Sequence, residues 1–283
     1  MKDITIIIPA YNEEERIKAT LSRYLTFYSG IERVEFIVVL NGCRDRTDKV
    51  IDVYIQKFPG LIKKELFALP IGKGGALIEG MMRSEGNVVA YTDADGSTPP
   101  EELYKLIQII QQNQADLAIG SRWIEGAKVF PKQPIKRRIA SRCFNFLIKS
   151  LFSIPFKDTQ CPAKAMSRQL LTEILADLHI SDMAFDVNLI ISALRKGARI
   201  VEVPICWQDK EGSKVKLFRT SLLMFMSIIR LRLYYSPFCF LIPVLHPLVE
   251  PIRKSLSGWS TCDYKKIKNL TRRKFNFNQI SCE

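Results

Sequence analysis

Long apolar runs and amphipathic stretches take turns along the first half of the chain. Residues 4–8 form an uninterrupted, mostly β-branched run closed by Pro9. A run without alternation suits a strand covered on both faces, as in a parallel sheet. Residues 13–24 then predict a helix, with Asn12 as its cap, and 36–40 a second buried strand. A helix is predicted over 47–57, with Asp45 near its start, and another over 73–84. A strand follows at 88–92, a helix at 100–113 whose first turn holds Pro100, Glu101 and Glu102, and a short strand at 117–119. Strand and helix in alternation predict an α/β fold, an open, doubly wound and mostly parallel sheet flanked by helices. Ligands bind such sheets beyond the carboxyl ends of the strands. Three polar clusters fall there, Tyr11-Asn12-Glu13, residues 41–45 and residues 93–97.

The second half has a different texture. Residues 128–149 carry seven Lys or Arg and no acid. Helices are expected at 170–178 and 184–196 and a strand at 200–204. Residues 216–235 predict an amphipathic helix with Lys216, Arg219, Thr220, Ser227 and Arg230 on one stripe, and with Ser221 and Arg232 on the apolar side. Residues 253–283 hold eight basic and two acidic residues and are expected to be loosely ordered. This divides the chain into an α/β domain over 1–215, an amphipathic, interfacial helical segment over 216–251 and a basic tail over 252–283. The longest apolar segment, 221–248, is interrupted by Arg230 and Arg232 and by Pro237, Pro243 and Pro247, so a bilayer span is not expected.

Composition sharpens this picture. Of 283 residues, 47% are apolar, enough for a substantial core. Lys and Arg outnumber Asp and Glu by 42 to 29, a net charge of +13 that points to an anionic partner, with plain solubility as the alternative. The seven cysteines are scattered without a C-x-x-C pair, which argues against a disulfide framework or a zinc site and for reduced thiols in a cytosolic setting. The opening residues read as a strand and not as an export signal.

Asp93-Ala94-Asp95 is the leading chemical candidate. Two carboxylates held together at a strand end repel each other unless a cation joins them. A hard divalent ion, Mg2+ or Mn2+, takes oxygen ligands and bridges to phosphates. A polar Asp-Gly turn is the plainer alternative. Gly72-Lys73-Gly74-Gly75 offers backbone amides and a helix N-terminus to a phosphate, or serves simply as a flexible turn. It lacks Walker spacing, and no strand is expected close before it. Arg122, after the strand at 117–119, could face a pyrophosphate or an acceptor, or be a surface charge. Asp158-Thr159 has the look of a turn or cap. His179 and His246 have no acidic or nucleophilic neighbours in sequence and receive no catalytic role.

Six motifs in order give the chain a family likeness: Ile8-Pro9-Ala10-Tyr11-Asn12-Glu13-Glu14, Gly72-Lys73-Gly74-Gly75-Ala76, Asp93-Ala94-Asp95-Gly96, Gly120-Ser121-Arg122, Asp158-Thr159-Gln160-Cys161 and Gly212-Ser213-Lys214. Over about residues 3–215 it resembles family 2 glycosyltransferases of the GT-A fold, of the dolichyl-phosphate or polyprenyl-phosphate hexosyltransferase type, with the glucosyl branch most similar. The resemblance implies that Pro9, Tyr11 and Glu13 hold the base and ribose, that Asn41 and Asp45 lie in a second nucleotide loop, and that Lys73 lies near the nucleotide pocket. It implies that Asp93 contacts nucleotide or metal, that Asp95 binds the metal and that Asp158 sits by the donor sugar. It further implies that Arg122, Arg137 and Ser141 grip an acceptor phosphate while Ser213 and Lys214 close over the phosphates. The second loop departs from the usual Asp-Asp-Gly-Ser, Ser97 stands where mannosyl members often carry Gln, and Cys161-Pro162 replaces Cys-Gly.

The function so implied is inverting transfer of a hexose from a nucleotide-sugar to dolichyl or polyprenyl phosphate. UDP-glucose is the favoured donor and GDP-mannose the second candidate. An acceptor phosphate is already anionic near neutral pH and needs positioning more than a general base. The expected setting is peripheral attachment to an anionic membrane surface on the cytoplasmic face. The alternatives are transfer to a polysaccharide or other soluble acceptor, and a non-catalytic nucleotide- or nucleic-acid-binding module. No aromatic-rich RNA motif accompanies the basic regions, so no nucleic-acid partner is expected.

Overall fold

A computed structural model describes residues 2–31, 33–131, 135–210 and 217–242, with 244, 245, 247, 249 and 251 beyond them; at 135–138, 140, 217 and 218 it describes the backbone alone. The tail at 252–283, and with it the expectation of loose order there, lies outside the described residues.

The isoleucine run forms β1 (Ile4–Ala10), paired in parallel with β2 (Val34–Asn41) on one side and β4 (Val88–Tyr91) on the other. Alternate residues of these strands feed two cores. Ile4, Ile6, Ile8, Phe36, Val38 and Leu40 face one; Ile7, Ile37 and Val39 face the other. Both faces are therefore dry, which is why the strands read as continuous apolar runs. The first core is roofed by α1 (Ile17–Tyr28), α2 (Thr47–Lys57) and α4 (Pro100–Gln111). The second is roofed by α3 (Lys73–Arg83), α6 (Arg168–Ile174) and α7 (Phe185–Arg195).

The full sheet has seven strands in the order β3-β2-β1-β4-β7-β5-β8, where β3 is Ile62–Phe67, β5 Leu117–Ser121, β7 Lys164–Ser167 and β8 Ile200–Pro204. All are parallel to β1 except β7, which runs antiparallel between β4 and β5. The chain winds outward from β1 to β2 and β3, then returns to β4 on the other side, so the order reverses between β1 and β4. The carboxyl ends there are the expected ligand site. A small parallel pair, β6 (Lys128–Phe130) with β9 (Cys206–Gln208), stands beside the main sheet.

Two expectations need correction, and one strand had none. No strand was expected close before Gly72, yet β3 ends five residues earlier; as the sheet edge it carries Lys63, Lys64 and Glu65 in place of an apolar run. The first helix begins at Ile17, and Asn12 is not its cap. Asn12 has φ +54, its side chain accepts the Arg44 N–H at 2.7 Å, and the Glu13 N–H donates to Thr47 Oγ1 at 2.8 Å. Residues 12–14 are thus tied across to the loop before α2 and cannot join the helix. Finally, β7 lies in a segment without an apolar run long enough to announce it.

The basic stretch holds α5 (Ile135–Phe152), and the segment after 216 forms α8 (Leu217–Tyr234). Ser227, Ile228 and Leu231 of α8 are buried, and Ser227 donates to Asp182, so this face packs on the domain. Arg232 is exposed, beside the outward residues Leu222, Phe225 and Ile229.

Candidate active site

The polar clusters meet at the carboxyl edge of the sheet. Beyond β1, Tyr11 is 45% exposed at the mouth, while Pro9 is part-buried in the strand. Glu13 is clamped by Arg16 at 2.6 and 2.7 Å. Asp45 accepts the Thr47 N–H at 3.0 Å and the Glu14 N–H at 3.2 Å, joining the first two loops. Asn41, at the end of β2, accepts the Ile71 N–H at 2.7 Å and holds the chain leading to Gly72 over the strand ends. Asn41 and Asp45 therefore act as struts that shape the loops.

The segment after β4 is fixed from α1. The Thr20 hydroxyl donates to the Ala94 carbonyl at 2.8 Å, and Gly96 at φ +71 approaches so near that an added Cβ would meet Thr20 Oγ1 at 2.8 Å. This orients both acids of the triplet. Asp93 pairs with Lys73 at 2.6 Å. Asp95 accepts the Ser97 N–H on one oxygen at 2.9 Å, and its other oxygen makes no hydrogen bond among the described residues. Burial opposes the Lys73 charge, but Asp93, Asp186 and Asp95 outweigh it and raise the ammonium's pKa. Asp93 is also raised, because burial and the nearby Asp95 and Asp186 oppose its charge more than the single Lys73 favours it. Lys73 pairs with Asp93 and Lys164 with Asp186, so the cluster of Asp93, Asp95 and Asp186 is left one positive charge short.

The glycines of the 72–75 loop do more than permit flexibility. A Cβ on Gly74 would meet the Ile180 carbonyl oxygen at 2.5 Å and Phe185 Cβ at 2.6 Å, and the Gly75 N–H donates to the Ser181 carbonyl at 3.0 Å. They let α3 dock against the entry to α7, and the Gly75 amide is taken by protein and not left for a phosphate.

Beyond β5, Arg122 is locked to Asp158. Its Nε and Nη2 donate at 2.7 and 2.9 Å, and its backbone N–H donates at 3.0 Å. The side chains are 10% and 2% exposed, and the guanidinium lies 5.1 Å from the Trp207 ring centre. Burial pushes the Asp158 carboxyl up, but Arg122 outweighs it and holds it below the usual range. Sequence spacing brought Arg122 and Asp158 to the site separately; the structure makes them one unit.

A buried group escaped the sequence reading altogether. Lys164 on β7 donates to the Cys161 carbonyl at 2.5 Å and to Asp186 in the first turn of α7, and Tyr91 donates to Asp186 at 2.6 Å. This strap ties β4, two residues before Asp93, to the 158–161 loop. The available signal was a lysine between alanines in Ala163-Lys164-Ala165 and an acid between Phe185 and Val187, charges inside apolar surroundings. Ser141 lies on α5, four residues after Arg137, whose side chain is outside the described residues; Ser213 and Lys214 are outside them too.

The family model described as "Glycosyl transferase family 2" matches residues 5–175. The chain belongs to that family. Among its relatives, dolichyl-phosphate beta-glucosyltransferase of Homo sapiens is 32% identical over 247 residues, 83% of this chain and 76% of the relative. The protein of the same name from Saccharomyces cerevisiae is 31% identical over 260 residues, 82% of this chain and 75% of that one. The glucosyl-3-phosphoglycerate synthase of Mycobacterium tuberculosis, solved with Mn2+, UDP and phosphoglyceric acid, shares the fold with a TM-score of 0.64 at 17% identity, over 82% of this chain and 78% of its own. The protein is thus a glycosyltransferase of the GT-A fold, with the Asp93-Lys73-Asp95 cluster at the switch point of the sheet.

Proposed function

We propose that this glycosyltransferase transfers glucose, with inversion, from UDP-glucose to the phosphate of dolichol or a related polyprenol. The observation that carries the reading is the charge-deficient cluster of Asp93, Asp95 and Lys73 in a chain 30–32% identical to dolichyl-phosphate beta-glucosyltransferases over most of its length. Pro9, Tyr11 and Glu13 are assigned to the nucleotide, and Asn41 and Asp45 to its second loop, on the family likeness; their position beyond the carboxyl ends of β1 and β2 supports the assignment.

The residues present fit a divalent cation. Asp95 keeps an open carboxylate oxygen, Asp93 is electrostatically stressed, and both are hard oxygen donors. Among the described residues no group of three or more His, Cys, Asp or Glu could hold a metal, so the remaining ligands would be donor phosphates and water. When bound, Mg2+ or Mn2+ supplies stabilisation of the departing diphosphate. Lys73 adds a fixed positive charge from the N-terminus of α3.

Asp158 is a poor proton acceptor, because its oxygens are filled by Arg122 and its pKa is lowered. Asp186 is likewise held, by Lys164 and Tyr91. Carboxylates engaged in this way suit an acceptor that arrives ionised, as a lipid phosphate does, and needs orientation more than deprotonation. Arg137, Ser141, Ser213 and Lys214 are proposed as acceptor and phosphate contacts on the family likeness.

The acceptor implies work at a membrane. No described helix is long and apolar enough to cross one. Leu222, Phe225 and Ile229 repeat at helical spacing on the outer face of α8 and are 37–44% exposed, while Ile139 and Phe146 on α5 are 57% and 72% exposed. Such stripes beside basic residues suit an interfacial mode, at the cytoplasmic leaflet, without nucleic acid as a partner. The test is calorimetry of UDP and GDP, with and without Mn2+, alongside co-sedimentation with anionic liposomes. UDP binding that requires metal, together with liposome binding, is expected; metal-independent binding or a preference for GDP contradicts the donor assignment.

A further inference from the structure

Arg16 stands outside the six motifs, immediately before α1. Glu13 holds it from three residues upstream: Arg16 Nε donates to one Glu13 oxygen at 2.7 Å, and Nη2 donates to the other at 2.6 Å. A guanidinium carries five N–H donors in a fixed fork. Glu13 takes two of them, and the other three have no hydrogen-bond partner among the described residues. The Arg16 side chain is 24% exposed, so a ligand can reach it.

The guanidinium stands near the acid triplet. The Thr20 hydroxyl lies 2.8 Å from the Ala94 carbonyl and 3.2 Å from the Arg16 carbonyl, so one side chain ties the start of α1 to the residue between Asp93 and Asp95. Burial opposes the Arg16 charge, but Glu13, then Asp95 and then Asp93, outweigh it and raise its pKa. Glu13 is nevertheless its ion-pair partner, and neither Asp95 nor Asp93 pairs with it. A cation beside two acids is drawn onto them. The two-pronged grip of Glu13 holds it back. Asp95 and Asp93 therefore act on Arg16 across a gap.

Two cations approach the triplet from opposite faces of the sheet. Lys73 comes from α3, over the second core, and Arg16 from the start of α1, over the first. A diphosphate seated at the cluster carries oxygens that the acids repel, and Arg16 is a cation on the α1 side able to receive them. We propose that Arg16 binds the diphosphate of the nucleotide-sugar donor opposite Lys73, and that Glu13 is a positioning residue that serves the nucleotide by aiming Arg16. As an acceptor phosphate oxygen bonds to C1 of the sugar, the bond from C1 to the diphosphate breaks and its electron pair stays on the diphosphate oxygen. A guanidinium already fixed there holds that growing charge more strongly than the starting one. Neither Arg16 nor this use of Glu13 comes from the family likeness. The inference rests on the nucleotide-sugar reading above.

The test compares the full chain with Arg16→Gln, Arg16→Lys, Glu13→Gln and the Arg16→Gln/Glu13→Gln double variant. Calorimetry in Mn2+ measures UDP affinity, and ligand-observed NMR measures uridine, which has no phosphate. Arg16→Gln should weaken UDP binding by about tenfold or more and leave uridine within about twofold. Arg16→Lys keeps the charge and should recover part of the loss. Glu13→Gln should also weaken UDP and spare uridine. The double variant should bind UDP no more weakly than Arg16→Gln alone, since both changes remove one interaction. UDP affinity in Arg16→Gln within about twofold of wild type overturns the proposal. A parallel loss of UDP and uridine in both Arg16 variants overturns it too, and makes the pair a strut of the loop. A Glu13→Gln variant that loses uridine as strongly as UDP assigns Glu13 to the nucleoside and overturns its positioning role. A wild type that binds GDP in place of UDP refutes the donor reading instead, and GDP against guanosine then decides the Arg16 claim in the same way.

Discussion

Replacing Asp158 by Ala isolates one buried partner and leaves the other stranded. Arg122 and Asp158 are 10% and 2% exposed in their side chains and joined by three hydrogen bonds. Removing one member of a buried pair costs about 3–5 kcal/mol, because the remaining charge keeps its desolvation penalty without its partner. For a domain of this size each kcal/mol lowers Tm by about 2–4 °C, so Asp158→Ala should lower it by about 6–20 °C. Asp158→Asn, which keeps an acceptor oxygen, should cost less. A double Arg122→Met/Asp158→Leu variant, with no buried charge, should recover much of the loss. The sign with pH is fixed by the lowered pKa of Asp158. Its contribution is present above the unfolded carboxylate value near ~3.9 and is lost as pH falls through the lower folded value. Thermal unfolding of the purified full chain at neutral pH and at pH values stepped down below ~3.9 measures all of this. A single variant within about 2 °C of wild type, or a double variant no better than the single, refutes the assignment of Arg122 to Asp158.

Gly74→Ala should destabilise the protein by about 1–3 kcal/mol in denaturant unfolding and weaken UDP binding, since its Cβ would press on the Ile180 carbonyl and Phe185 and push the Lys73 end of α3 away; a neutral substitution contradicts the close-packing account. Because the Asp93 pKa is raised, the carboxylate protonates at higher pH than an ordinary one near ~3.9. Metal-dependent UDP affinity should therefore begin to decline, as pH is lowered, above the range in which an ordinary carboxylate titrates, and Asp93→Asn should bind weakly with a flatter profile; equal pH dependence in wild type and variant rejects Asp93 as the group responsible.

The parts of the fold legible in the sequence were those whose burial is symmetrical or whose faces are sharply divided. β1 and β2 are dry on both sides and read as apolar runs, and α2 and β8 keep the bounds their periodicity suggests. β3 was hidden because an edge strand carries Lys63, Lys64 and Glu65, and β7 because four residues with a lysine make no pattern. α1 began later than its caps suggested, since Asn12 and Glu13 spend their hydrogen bonds on the loop of Arg44 and Thr47. In the site, Asp93 and Asp95 were legible as a doublet at a strand end. The pairing of Lys73 with Asp93, or of Arg122 with Asp158 across 36 residues, is tertiary and has no local signal. The same holds for Lys164 and Asp186, whose meaning emerges only when β7 is inserted beside β4.

The central claim is tested most directly by incubating the purified full chain with UDP-glucose, Mn2+ or Mg2+ and a short polyprenyl phosphate, and weighing the lipid product. The account predicts a product heavier by one hexose, absent in EDTA and absent in Asp95→Ala, a variant that should still fold because Asp95 supports little beyond the Ser97 amide. Undiminished transfer in EDTA or in Asp95→Ala, or transfer to a soluble sugar with none to the lipid phosphate, would contradict it.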